Sequence, residues 1–144
     1  MAKVDIKLPT DLEERLSRLA EKTDEIIPKV LEAGGEVVLS KVRSNLSSIV
    51  GQGTKEESRS TGELERSLGL SPAKQKRDGS GLDVKLGFAE PRSDGGNNAK
   101  IANILEYGKH GQAPKPFLKP AKSSSKSAAV SAMKAKFESE VNGL

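Results

Sequence analysis

Apolar residues follow two rhythms along this chain. Val4, Ile6 and Leu8 alternate with polar neighbours, a short-strand pattern. From Leu12 the spacing changes to three and four. Leu12, Leu16, Leu19, Ile26, Val30, Val37 or Val38, Val42, Leu46 and Ile49 or Val50 form one helical stripe. Thr10-Asp11-Leu12-Glu13 has the form of a capping box in front of it. Pro28 interrupts the stripe, and a proline inside a helix costs about 3 kcal/mol. The expectation is therefore a break near Thr23–Asp24, with Asp24 capping a second helix and Pro28 in its first turn. One long, kinked helix is the alternative. Gly34-Gly35 inside the stripe reads either as a place where another backbone packs closely or as a tolerated weak spot.

Further along, Leu64, Arg66, Leu68 and Leu70 alternate, and so do Leu82, Val84, Leu86 and Phe88. The intervening SPAKQKRDGSG contains the turn formers Asp78-Gly79 and Ser80-Gly81. The pattern predicts a long-looped antiparallel hairpin with one face on a core and a basic tip at Lys74, Lys76 and Arg77. Two polar, glycine-containing stretches, 51–62 and 89–99, read as flexible loops within a single domain spanning 1–144.

Ile101, Ile104 and Leu105 share a helical face, and Gly108 is a natural stop for that short helix. Pro114 and Pro116 bias Ala113 and Lys115 toward extended backbone. Pro120 suits the first turn of a following helix, where no amide donor is needed. Phe117 and Leu118, bracketed by prolines, read as a plug fixing this elbow to the core. The last helix runs to about Val141, with Val130, Met133, Phe137 and Val141 as its apolar stripe. The fold class is α+β: two N-terminal helices and a C-terminal helix packed on a small antiparallel sheet containing the hairpin.

Composition narrows the function. Hydrophobic residues make up 34 % of the 144 residues and aromatic ones 3 %, a thin core for one domain. Such a chain gains stability from self-association or from a partner. It contains no cysteine, which excludes disulfides and thiolate metal sites and suits a reducing cytoplasm. No run approaches the ~18 apolar residues of a membrane span, and MAKVDIKLP lacks the apolar segment of a signal peptide. The net charge is +4. Between Lys109 and Phe137 there is no acidic residue, while Lys109, Lys115, Lys119, Lys122, Lys126, Lys134 and Lys136 are present. That distribution favours anionic partners.

Catalytic constellations are missing from the sequence. His110, the single histidine, has no sequence-local carboxylate or nucleophile. GQGTK at 51–55 lacks the phosphate-loop spacing. The expectation is a non-enzyme without cofactor or metal. Glu106 beside Tyr107 reads, from the residues alone, as helix-end packing with Tyr107 half buried.

The order Ile101-Ala102, apolar pair, Glu106-Tyr107-Gly108, short basic loop, Pro116-Phe117-Leu118, Pro120-Ala121 and helix resembles the neck and tail-completion proteins of long-tailed bacteriophages. That family is typified by gene product ten of HK-type lambdoid phages. Its upstream segment TG-x-L-x-x-S-[IL] is matched by Thr61-Gly62-Glu63-Leu64-Glu65-Arg66-Ser67-Leu68. The resemblance implies a structural virion protein made in the host cytoplasm, joining tail to head connector as a homo-oligomeric ring. Its neighbours would be tail-terminator, tail-tube and head-completion proteins, with non-specific contact to DNA in the lumen. It makes Glu106, Tyr107, Gly108, Pro116, Phe117, Leu118 and Pro120 the structural or interface residues. Lys74, Lys76, Arg77, Lys109, Lys115, Lys119, Lys122 and Lys126 are candidate contacts for an anionic partner. The competing class is a small basic protein binding nucleic acid non-specifically. Against it, the C-terminal lysine segment has no arginine, and almost no aromatic residue to stack bases.

Overall fold

A computed structural model describes residues 9–50 and 62–144. The expected N-terminal strand at Val4, Ile6 and Leu8, and residues 51–61 of the expected first loop, lie outside the described residues. The described chain is mixed α+β and mostly helical, as its periodicities predict.

The frame is a pair of antiparallel helices. Helix α1 spans Thr10–Ile49 and helix α4 spans Leu118–Asn142. The 40 residues of α1 give it a length of roughly 60 Å. It runs without a break through Pro28, which corrects the expected division near Thr23–Asp24. The physical reason is packing. Ile26 is buried and Val30 half-buried on the face that continues toward α4, so tertiary burial outweighs the local penalty of the proline. Asp24, whose carbonyl loses its amide partner at Pro28, is exposed and open to water. The expected capping box makes no side-chain cap hydrogen bond. Instead the Glu13 amide donates to the Pro9 carbonyl at 2.9 Å.

Gly34 and Gly35 are sites of close packing, but side chains rather than the expected second backbone approach them. A Cβ on Gly34 would lie 2.6 Å from Met133 Cγ of α4, and one on Gly35 would lie 3.0 Å from Leu70 Cδ1 of the hairpin. Side chains on two sides of α1 therefore sit down on this pair.

The hairpin is irregular. A short helix α2, Glu63–Ser67, replaces the start of its expected first strand. It begins at Gly62, whose φ of 77° is left-handed. It places Leu64 and Leu68, four residues apart, into the core. Strands β1 (Leu68–Leu70), β2 (Lys74–Gln75), β3 (Leu82–Asp83) and β4 (Leu86–Phe88) follow. β1 pairs antiparallel with β4 and β2 with β3. Leu70 opposes Leu86 while Lys74 opposes Asp83, so three residues, 71–73, face two, 84–85. This is a bulge, and Pro72, which has no amide to donate, sits in it. The Ser71 hydroxyl compensates by accepting from the Lys85 amide at 2.9 Å.

Helix α3, Asn98–Tyr107, closes the unit. The segment before it, read from sequence as a flexible loop, is tied along its length. Glu63 accepts from the Ser93 amide and hydroxyl at 2.7 and 2.8 Å. Buried Asn98 donates to the Ala89 carbonyl and accepts from Arg92, both at 2.7 Å. The core, Leu39, Val42, Leu46, Leu64, Leu68, Ala102, Phe117 and Ala121, lies between the C-terminal half of α1, the hairpin, α3 and the start of α4.

The buried face of α4 departs from the expected stripe. Ala121, Ser125 and Ala129 are buried, whereas Val130 and Phe137 are 38 % and 44 % exposed. Small residues at a spacing of four let α4 approach α1 closely. The bulkier residues are displaced onto the neighbouring face.

Candidate functional site

The residues from Ile101 to Ala121 form a junction between α3 and α4. α3 stops at Tyr107 because Gly108 adopts φ 78° and ψ 179°. No other residue fits easily: a Cβ there would lie 2.8 Å from the Gln112 carbonyl oxygen and 2.9 Å from Pro114 N. The following elbow folds on itself. Lys109 and Gln112 exchange both backbone hydrogen bonds, at 3.0 and 2.9 Å. The Lys115 amide then returns to the Leu105 carbonyl at 2.6 Å, which lays the extended Pro114–Pro116 segment along the end of α3. The chain thus arrives at Phe117, which is wholly buried. Its ring meets Phe88 of β4 edge-on, with centroids 6.3 Å apart and planes at 72°. Asn45 of α1 donates to its carbonyl at 3.3 Å.

Glu106 sits at the centre of this junction. Its carboxylate is buried and points at the first turn of α4. Oε2 accepts from the amides of Phe117 and Leu118 at 2.7 and 2.8 Å, and Oε1 accepts from Lys119 at 3.0 Å. A helix start leaves its first amides without intrahelical partners and presents a positive dipole end. Here the fourth of those positions is Pro120, which has no amide. The three donors that exist are all taken by one carboxylate. Phe117 supplies no side-chain cap, so Glu106 caps α4 from another helix. Burial pushes the Glu106 carboxyl up, but the amides of Leu118, Lys119 and Phe117 together outweigh that, with the Lys119 charge adding to them. The net result is a pKa below the ordinary 4.5.

Each predicted site residue can now be placed. Glu106, Gly108, Phe117, Leu118 and Pro120 belong to the capped junction. Pro116 is exposed on the elbow. Tyr107 is not half buried: it is 60 % exposed, because it lies one residue beyond Glu106 and turns away from the cap. Its ring carries the Lys119 ammonium 5.3 Å above its centroid. The basic residues do not converge. Lys74, Lys76 and Arg77 are exposed at the hairpin tip, Lys109 is exposed and Lys115 half-buried on the elbow, and Lys119, Lys122 and Lys126 are exposed on α4. Residues not singled out from sequence also serve the junction: Asn45 holds Phe117, and Asn97 caps α3 by accepting from the Lys100 amide at 2.8 Å. An Asn pair directly before an apolar run is a recognisable start signal for Asn97. Asn45 carries no such signal.

The Glu106 cap is satisfied from within the chain. Both carboxylate oxygens are occupied by backbone donors. Among the described residues no group of three or more His, Cys, Asp or Glu side chains is placed to hold a metal. Among them, too, no helix is long and apolar enough to cross a membrane.

A thin-cored helical frame, a small ribbon and an internally capped junction define a structural module. The chain belongs to the HK97-gp10-like family, described as "Bacteriophage HK97-gp10, putative tail-component", whose model matches residues 10–108. It is thereby a structural component of bacteriophage tails, with a place in the virion beside other tail proteins. The match covers α1, the hairpin and α3 through Glu106 and Gly108, and stops before the rest of the elbow and α4. Neither the curated proteins nor the solved structures give a match.

Proposed function

We propose that this chain is a tail-completion, head–tail joining subunit of the neck of a long-tailed bacteriophage. In this reading it is made in the host cytoplasm and performs no catalysis. It acts by assembling into a ring and by contacts with tail-terminator, tail-tube and head-completion proteins. The observation that supports this best is the occupied Glu106 carboxylate. The motif residues Glu106, Gly108, Phe117 and Leu118 serve to lock α3, the elbow and α4 together. A joining subunit needs such a rigid centre from which to present its surfaces.

The test is removal of the reading frame from a phage that encodes it. Filled heads and finished tails that accumulate separately, and join when the purified chain is added back, are the expected result. Complete infectious particles without the chain would overturn the proposal.

One observation favours a second reading, non-specific nucleic-acid binding. Lys119, Lys122 and Lys126 are spaced three and four apart on one exposed face of α4. Fluorescence anisotropy on duplex DNA separates the two. The nucleic-acid reading requires tight binding at physiological salt that weakens steeply as salt rises.

A further inference from the structure

The two edges of the β1–β4 ribbon differ. The Ala89 amide donates to the Ser67 carbonyl at 2.8 Å and the Ser71 amide to the Lys85 carbonyl at 2.7 Å. Hydrogen-bonded pairs alternate along an antiparallel ladder. The amides and carbonyls of Leu68 and Leu70 therefore point out of one edge, and those of Leu86 and Phe88 out of the other. On the β1 edge, the Leu68 amide donates to the Glu65 carbonyl, and its carbonyl accepts from Arg43 of α1 at 3.4 Å. On the β4 edge, nothing among the described residues donates to or accepts from the four backbone groups of Leu86 and Phe88.

Beside that edge runs a groove between β4 and α3, walled by Leu86, Phe88, Ala99, Tyr107 and Leu118. β4 reads Leu86-Gly87-Phe88, so neither a charge nor a proline blunts it. Unpaired donors and acceptors in a row beside apolar walls fit one kind of occupant, an extended chain with alternating side chains.

We infer that this groove receives residues 4–8 of another copy as an added strand. The inference rests on the ring-assembly reading above and names the contact that joins its subunits. Residues 4–8 lie outside the described residues, and their sequence, Val4-Asp5-Ile6-Lys7-Leu8, alternates as such a strand requires. The register that buries the apolar residues puts Val4, Ile6 and Leu8 on the side of Leu86 and Phe88, and Asp5 and Lys7 on the side of Gly87. Chain length decides which copy supplies them. α1 begins at Thr10, and Gly35, where Leu70 packs opposite Leu86, lies about 38 Å further along it. Fully extended, residue 4 reaches only about 20 Å from Thr10. The run cannot line its own β4. The end of α4, Ser139 to Leu144, lies beside Lys22, Glu25 and Ile26, so α1 carries the run about 18 Å beyond it, toward a neighbour. Because the donated strand and the accepting edge differ, the contact is head-to-tail. It gives a ring if the rotation closes.

The experiment uses the full chain, which has no cysteine of its own. A Cβ at Gly87 meets nothing within 4 Å, so Gly87→Cys fits the strand. This variant is mixed with Asp5→Cys, Ile6→Cys or Lys7→Cys under mild oxidation. Disulfide-linked pairs should form more readily with Asp5→Cys and Lys7→Cys than with Ile6→Cys, because only the first two share the Gly87 side. Sedimentation across concentration gives an independent readout. The wild type should associate, and Ile6→Asp should need at least tenfold more protein to do so, with circular dichroism confirming its fold.

Wild-type-like association of Ile6→Asp together with linkage that does not alternate would overturn this contact and leave ring assembly standing. A wild type that stays monomeric at every concentration, with no linked pair, would also overturn it. The neck reading would then rest on the head–tail joining test alone.

Discussion

The two ends of α1 carry the same kinds of residue and meet opposite fates. In its C-terminal half, Leu39, Val42 and Leu46 are buried against the hairpin, α3 and Phe117. In its N-terminal arm, Leu12 and Leu16 repeat the same helical spacing and stand in solvent. Local propensity and periodicity are alike in the two halves. What differs is the number of elements packed around them. The C-terminal half has α4 on one side and the hairpin core on the other; the arm has neither. A helical stripe in a sequence thus announces a surface to be covered. It does not say whether the cover is in the same chain.

That contrast can be broken most forcefully at the buried end. Phe117→Ala removes the ring that joins α4, β4 and α1, and should lower unfolding free energy by about 3–5 kcal/mol in denaturant titration. A loss below about 1 kcal/mol would mean that the junction is held elsewhere. Glu106→Gln keeps the shape of the cap but loses its charge and turns a donor toward backbone donors. A loss of about 2–3 kcal/mol is expected. It should also change the pH profile. The folded pKa of Glu106 lies below its ordinary 4.5. Its stabilising contribution is therefore complete above that value and disappears as pH falls through the folded pKa. The wild type should lose its advantage over the variant across that acid window, read by melting at each pH. Gly34→Leu pushes a side chain into the space held by Met133 and should cost about 1–3 kcal/mol. At the other end of α1, Leu16→Ala should alter monomer stability by no more than about 0.5 kcal/mol. A larger drop there would show that the arm is covered within its own chain.

Much of the junction was legible because its signals are local. Gly108 as a helix stop, the proline-stiffened elbow, Phe117 as a plug and Pro120 in the first turn of α4 each follow from one residue's own stereochemistry. The role of Glu106 was not decidable, because its donors lie 11 to 13 residues away and no local capping pattern reaches so far. A clue was present in hindsight: Phe117 precedes the last helix and cannot cap it. The continuity of α1 through Pro28 was hidden for a different reason, since burial of Ile26 decides it. The buried face of α4 was misread because Ala121, Ser125 and Ala129 carry a weak hydrophobic signal, while Val130 and Phe137 carry a strong one. The hairpin was recognised as such, but its opening turn of helix at Glu63–Ser67 and its bulge at Pro72 were not, because alternation alone looks the same over so few residues.

The cap also fixes which parts of the molecule open together. The first turn of α4 borrows its acceptor from α3, so neither end can fray alone without stranding a buried charge or buried amides. The amide protons of Phe117, Leu118 and Lys119 should therefore exchange with solvent at one common rate, set by separation of the two helices rather than by fraying of either. The arm of α1, with no such partner, should exchange its amides far sooner.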